Sequence, residues 1–432
     1  MNINKKNMRR PVLILMMLLL SWHLSAQVMY LDSIKSIIEK NNPELQMYEA
    51  QSNALDAYAK GAKAWEAPQI GAGFFMTPYN TSMWRGDNSG GGTNGMGSSS
   101  KGMGSFMVQG QQMIPNPSKQ RANQQYRQSM SAVEVANKNF VKYDLFTKAK
   151  TAYYEWVIAK QKMLVLDEQE QLMNYVIQTS EIRYQYRQEK LNSIYKAKAG
   201  LAEIINNRFM LESEINWKRI YLNQLMNRSK LTPFDVDTNI VVHDYEKMIL
   251  DTSVLVSNRS DIMAIDKNIL VAKYKLNYEK SSLKPDFGIQ YAHMFTFGSN
   301  PNLFTLMGMV SIPIAPWSSG RYKSSSIGLS HEIQGYQKQR EAIVNEAFGI
   351  AESLRWKIKN QKQQIEVYSK SILPALSKNY NTSLLAYEQN TEDLFIVIDA
   401  LQALQMAKME LLNKKQELLL LLVDYEKTVE KK

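Results

Sequence analysis

Asp286-Phe-Gly-Ile-Gln-Tyr-Ala-His-Met-Phe-Thr-Phe297 and, after a Gly-Ser-Asn-Pro turn, Phe304-Thr-Leu-Met-Gly-Met-Val-Ser-Ile312 decide the fold. Phe287, Ile289, Tyr291, His293, Phe295 and Phe297 fall on one face, and Gly288, Gln290, Ala292, Met294 and Thr296 on the other. Period two is the signature of a strand. Phe304, Leu306, Val310 and Ile312 alternate in the same way with Thr305, Met307, Met309 and Ser311. A weaker pair lies upstream, at about 69–78 and 104–114, where Ile70, Ala72, Phe74 and Met76 alternate with Gln69, Gly71, Gly73 and Phe75. At ~9–12 residues these segments suit tilted strands crossing a bilayer. A soluble hairpin with one buried face would show the same alternation.

The N-terminus favours the membrane. Basic residues from Lys5 to Arg10 precede the apolar run Pro11 to Leu20, and Ser25-Ala26-Gln27 follows. This is the order of a secretory signal peptide, with cleavage expected near Ala26. An apolar run of ~10 residues is too short to span as a helix, and Leu418 to Val423 is shorter still. An exported chain of this kind enters a membrane only through strands. Four strands cannot close a barrel, because known membrane barrels need at least ~8 and an open edge cannot face lipid. Two or three copies sharing one barrel would supply eight or twelve strands.

Composition narrows the chemistry. The 432 residues include no Cys and four His. Disulfides, Cys-ligated metals, cysteine nucleophiles and a lipidated N-terminal Cys are excluded. The formal charge of +11 falls to +7 once Lys5, Lys6, Arg9 and Arg10 are removed, which gives no pointer to nucleic acid. No nucleophile elbow, metal-ligand pair or P-loop is present, so neither catalytic residues nor a cofactor are expected. Gly90, Gly92 and Gly95 match a dinucleotide-binding spacing without the strand-turn-helix context it needs.

The organisation repeats. Each half has a helical stretch (about 30–62 and 255–282), a strand pair and a very long helical stretch. Ser118 to about Gln188 is ~70 residues without Pro, or ~105 Å as helix. Ser319 to Gln389 is similar and is broken only by Pro374. Returning stretches run from Ser193 to Ser229 and from Asp393 to Val429. A returning and an entry helix end to end nearly match one long helix, implying antiparallel packing over ~100 Å. Apolar stripes such as Leu394, Ile398, Leu401, Leu404, Leu411, Leu418 and Leu422 are coiled-coil-like core. Around the helix returns, Tyr186 to Ala199 aligns with Tyr387 to Ala400 at an offset of 201, and Asn390 or Thr391 is the expected cap of the second ascending helix. The expected organisation is a signal peptide over 1–26, a first repeat over 27–229, an irregular connector over 230–254 and a second repeat over 255–432.

Several motifs in this order resemble the TolC-like outer-membrane efflux factors. Asn42-Pro-Glu-Leu45 resembles that family's first-helix motif, and Arg259-Ser-Asp-Ile262 its Arg-Pro-Asp-Leu, with Ser for Pro. Ile372-Leu-Pro-Ala375 with Ala386-Tyr387 resembles the approach to the second tip. Gln112-Met-Ile-Pro-Asn-Pro-Ser-Lys119 resembles the strand-to-helix junction of the branch paired with heavy-metal exporters. The resemblance implies a mainly α fold with a small β part. Two long helical-hairpin repeats plus four membrane strands would form a trimeric channel, with the barrel in the outer membrane and the helices in the periplasm. The implied partners are two further copies, outer-membrane lipid, a periplasmic adaptor and an inner-membrane pump, with no nucleic acid.

The same resemblance supplies candidate residues. Asp399 falls on a carboxylate position at the periplasmic entrance; Ile396 occupies the second such position, and Glu392 a position that is basic in some members. The hairpin tips, Arg187, Gln188, Lys190, Asn192 and Ser193 with Gln389, Asn390, Glu392 and Asp393, are the expected adaptor-docking surface, with Lys190 and Glu392 offering opposite charges. The Pro68-to-Pro115 interval exceeds Pro285-to-Pro313 by 19 residues, which places an insertion at Asp87 to Gly104; the resemblance implies that it is an extracellular loop. Met76, Met83, Met96, Met103, Met107 and Met113 surround it; thioethers suit Cu(I) or Ag(I), and Met also fills cores. Two other classes fit less well. A periplasmic coiled-coil adaptor would explain the helices but not the strand pairs, and a secreted hydrolase lacks a recognisable site.

Overall fold

The computed structural model describes residues 27–85, 102–240 and 252–430. The signal peptide, most of the Asp87 to Gly104 insertion with Met96, and part of the connector lie outside the described residues. The chain divides into two compact units: Met1–Met47 with Lys138–Ser260 and Ile343–Lys432, and Tyr48–Asn137 with Asp261–Ala342.

The second unit holds the expected strands as one antiparallel sheet. Its strands are β2 (Gln69–Phe75), β3 (Ser105–Ile114), β5 (Asp286–Thr296) and β6 (Leu303–Ser311), in the order β2-β3-β5-β6. The register brings the alternating residues of all four onto common faces. One row runs Phe74, Phe106, Phe295, and another runs Val108, His293, Phe304. This face stays open: Ile70, Phe287, Ile289, Tyr291, Phe304, Leu306 and Val310 are all exposed. The opposite face carries Gln109, Gln111 and Gln290, and Gln290 donates to Gln109 (3.2 Å). Gly288 sits there between Met113 and Met309, where a Cβ would meet the Met113 sulfur at 2.6 Å. A side chain at 288 would require Met113 to move. Among the described residues no helix is long and apolar enough to cross a membrane.

The sheet hands over to helix α3 (Pro117–Gln185) through a polar junction. Asn116 accepts from the Ser118 N–H (2.9 Å) ahead of Pro117, the usual N-cap followed by Pro at the first helical position. Its own N–H donates to Asp286 (2.9 Å), which also pairs with Lys119 (2.9 Å).

In the first unit the repeat is explicit. Strand β1 (Gln27–Met29) leads into α1 (Leu31–Asn41), which is followed by α2 (Pro43–Lys60). The second half opens with α5 (Thr252–Asn258) and α6 (Ser260–Ser281). Each expected entry helix is therefore two helices. In the first, Pro43 has no N–H to donate and pushes Asn42 out of the helical region (φ −69°, ψ 124°). In the second, Ser260 follows the break, which is held by another route. The Glu430 carboxylate accepts from both the Ser260 N–H (2.8 Å) and its hydroxyl (2.6 Å).

Both breaks are tied to a returning helix. The helices α4 (Leu191–Leu225) and α9 (Leu394–Val429) end at matching places, with left-handed Asn227 and Glu430. Asn42 Nδ2 donates to the Leu225 carbonyl (2.9 Å), and Arg259 donates to the Thr428 carbonyl (2.8 Å). Last-turn carbonyls have no partner within their own helix, so each bond satisfies an orphan acceptor. Ile34, Ile38, Val157, Leu222 and Met226 close the first junction as fully buried core. Leu255, Ala351, Tyr425 and Val429 close the second.

Other expectations change. The connector is not wholly irregular, because β4 (Phe234–Val236) pairs in parallel with β1 in the register Val28 to Asp235. Pro374 does not break the second long path. Helix α7 (Pro316–Val367) continues through a π-helical turn at Tyr368–Ile372 into α8 (Leu373–Glu388), where Pro374 lies in the first turn and needs no N–H.

Asn42→Ala removes the donor to Leu225 and the acceptor of the Glu44 N–H (2.9 Å). Leaving such groups unpaired costs about 1–3 kcal/mol. The variant should lose helical circular dichroism at a lower temperature than the parent chain; an unchanged midpoint would show that the junction is held without this bond.

Candidate functional site

The first unit carries two helical hairpins, α3/α4 and α8/α9, and their turns contain the expected site residues. Both turns are the same motif. Arg187 and Asn390 take left-handed backbone (φ 60° at each). The Arg187 and Gln188 N–H groups donate to Tyr184 and Arg183, as Asn390 and Thr391 donate to Tyr387 and Ala386. These bonds satisfy the last carbonyls of each helix. Asn tolerates the left-handed region well, while Arg187 holds it at some cost.

The motif fixes the true register of the repeat. The helix ends at the turns (Gln185 and Glu388, Leu191 and Leu394), the left-handed residues and the turn bonds match at an offset of 203, and so do Asn227 and Glu430. The offset of 201 read from shared Tyr, Gln and Ala is therefore wrong by two residues. Tyr387 corresponds to Tyr184, and Asp393 corresponds to Lys190 rather than Asn192. The cap expectation changes as well: Asn390 and Thr391 end the descending helix, while Asp393 holds the N-cap position of α9.

Arg187, Gln188, Lys190, Asn192, Gln389, Asn390, Glu392 and Asp393 are all exposed, whereas Ser193 is buried and adds nothing to the rim. Lys190 pairs with Asp393 (3.6 Å), not with Glu392. Both side chains are well exposed, so this pair contributes little to stability. Asp399 is exposed and bonds Lys196 Nζ (2.7 Å), and Lys196 also lies over the Phe395 ring (4.9 Å). Lys196 is the counterpart of Asp399 at the 203 offset. Ile396, at the second expected carboxylate position, is exposed.

Below the tips one residue of the second hairpin is held by several of the first. Arg183 donates to the Tyr387 carbonyl (2.7 Å) and lies over its ring (4.2 Å). The Tyr387 hydroxyl donates to Glu189 (2.9 Å) and lies 3.5 Å from the Ser180 hydroxyl. Burial pushes the Tyr387 phenol above its ordinary value; the Ser180 bond opposes this and Glu189 adds to it. The phenol therefore stays protonated through neutral pH. Its contribution is complete below the ordinary tyrosine value and is lost as pH rises through the raised one. Sequence reading missed Lys196, Arg183, Glu189 and Tyr184; the recoverable signal was opposite charge at a constant spacing, Lys190 with Asp393 and Lys196 with Asp399.

The chain combines a four-stranded sheet with an open apolar face and long helical hairpins in two repeats. Residues 35–186 match the family described as outer membrane efflux protein. The fold along most of the chain is that of solved channels of this kind. The outer-membrane channel OprN covers 92% of this chain and 89% of its own, with a TM-score of 0.73 at 13% identity. VceC of Vibrio cholerae covers 92% and 95%, at 0.71 and 15%. The open-state MtrE channel of Neisseria gonorrhoeae covers 92% and 88%, at 0.68 and 15%. No curated protein matches by sequence. The family match thus falls on residues 35–186, and the fold of the chain is that of solved outer-membrane efflux channels.

Arg183→Ala removes one of the two donors to the Tyr387 carbonyl, leaving the Asn390 N–H, and takes the cation from the ring. A hydrogen bond from a charged donor together with a cation–π contact contributes about 1.4 kcal/mol or more, so amide exchange over 387–393 should accelerate roughly tenfold. Exchange unchanged from the parent chain would remove Arg183 from the account of the tip.

Proposed function

We propose that this protein is the passive exit duct of a tripartite efflux system, working as a homotrimer whose shared barrel lies in the outer membrane and whose helices reach into the periplasm. The observation that carries this is the four-stranded sheet with two unpaired edges and an apolar exposed face. A soluble adaptor would have no use for that face. Three copies join their sheets edge to edge into twelve strands, and lipid covers the apolar side. Energy comes from an inner-membrane pump, and a periplasmic adaptor docks on the exposed tip residues. Native mass measurement in detergent tests the assembly; a stable monomer with a closed barrel would contradict it.

The docking role rests on the exposed rim from Gln389 to Asp393. Replacing these residues by Gly and Ser should impair export and leave trimer assembly intact. Normal export by a well-expressed variant would remove the tip from the docking surface.

Asp399 is proposed as an entrance residue, but not as a bare ring of carboxylates. With Lys196 at 2.7 Å, each negative charge has a positive one well inside a Debye length of about 8–10 Å. Three copies then contribute no net charge at this level. Lys196→Gln should shift the bilayer reversal potential towards cation preference, and Asp399→Asn towards anion preference, both most strongly at low salt. If neither substitution moves the potential, the pair does not face the conduction path.

A further inference from the structure

Methionines that surround the hairpin insertion in sequence are sorted apart by the sheet. Met76, Met83 and Met103 are exposed beyond the far ends of β2 and β3, where the Met103 N–H donates to the Met83 carbonyl (2.9 Å). The sheet face that carries Gln109, Gln111 and Gln290 also carries Met107, Met113, Met294, Met307 and Met309. Met107 stands directly opposite Met294. Met113 and Met309 flank Gly288, and their ends converge over it. A Cβ there would meet the Met113 sulfur at 2.6 Å and the Met309 methyl, one bond beyond its sulfur, at 3.1 Å.

Filling a core is the ordinary work of methionine, and this face has no core to fill. Among the described residues the four strands contact one another, and no helix packs across them. Beside the glutamines Thr or Val would suit a strand better. What these methionines add is sulfur. Thioethers are neutral and soft, and they favour Cu(I) and its heavier analogue Ag(I) over cations that prefer oxygen ligands. The carboxylate on the same face, Asp286, is engaged by the Asn116 N–H and by Lys119. Among the described residues no group of His, Cys, Asp or Glu offers a competing metal site.

We propose that Met113 and Met309 form a two-sulfur site for a soft monovalent cation, Cu(I) or Ag(I), with Gly288 as its floor. The missing Cβ leaves the space in which both sulfurs can turn onto one ion. Both side chains are half-buried, so an ion reaches them from solvent. The site is complete within one chain. That it faces the conduit, where it would meet passing cargo, rests on the trimeric reading above.

The test uses the full-length protein, purified in detergent with methyl-13C methionine and titrated with silver nitrate in chloride-free buffer. Resonances that vanish in Met113→Leu and in Met309→Leu identify the two methyls. Leu and Met are close in volume, so the sheet should stay intact. In the parent protein both resonances should shift together, with one affinity. Either substitution should weaken silver binding at the remaining methionine roughly a hundredfold, to the level of lone Met76, because two ligands held together act at a high effective concentration. The affinity should be equal at about pH 5 and pH 8, since a thioether does not titrate where His does. Resonances that stay in place, or a single variant that binds as tightly as the parent, would overturn the site. Native mass on the same samples separates the two readings. A single chain that binds silver here overturns the channel reading alone, and a trimer that does not overturns this inference alone.

Discussion

Strands β2 and β6 each present a row of backbone N–H and C=O groups that no other described strand pairs. In hydrocarbon each such group costs several kcal/mol, and no side chain on an apolar face can offset it. The sheet therefore depends on edges supplied from outside the chain, and the rest of the architecture follows. Internal repetition places two strand pairs in each chain, so in the proposed trimer three copies would reach a closed barrel of twelve. The hairpins that follow each pair must then meet at chain boundaries as well as within a chain.

The two repeats reach one geometry by different chemistry. At the first junction the helix is interrupted by the covalent limits of Pro43 and tied by Asn42 to the end of α4. At the second, Ser260 has an N–H that could have continued a helix, and Glu430 at the end of α9 captures it. The donor to the returning helix has become Arg259. Where the first break rests on Pro, the second rests on a carboxylate from the helix that packs on it. The conserved quantity between the repeats is the position of the bend, not the residue that makes it.

This explains what was legible in sequence. The strands were visible because period two needs no partner to be read, and the long helices because nothing interrupts α3. The breaks at Asn42 and Arg259 were hidden. One rests on a single Pro inside a helical pattern, and the other on a side chain about 170 residues away. The tip register was misread because Tyr, Gln and Ala recur often enough to align falsely. Backbone hydrogen bonds and left-handed residues carry the equivalence, and these leave little trace in residue identity. Strand β4 was invisible for a similar reason, since three residues pairing with β1 show no periodicity.

Unlike repeats also solve an electrostatic difficulty. In a ring made of one kind of hairpin, every tip position would repeat the same charge around a narrow entrance. Here the equivalent positions hold Lys190 and Asp393, and Lys196 and Asp399, so neighbours attract where identical hairpins would repel. The direct gain is small, because exposed pairs contribute about 0–1 kcal/mol at best. What divergence removes is the cost of crowding like charges, which would otherwise push the tips apart where they are least supported by core. If the pair faces the entrance as proposed, Asp399 sits there with its charge balanced by Lys196.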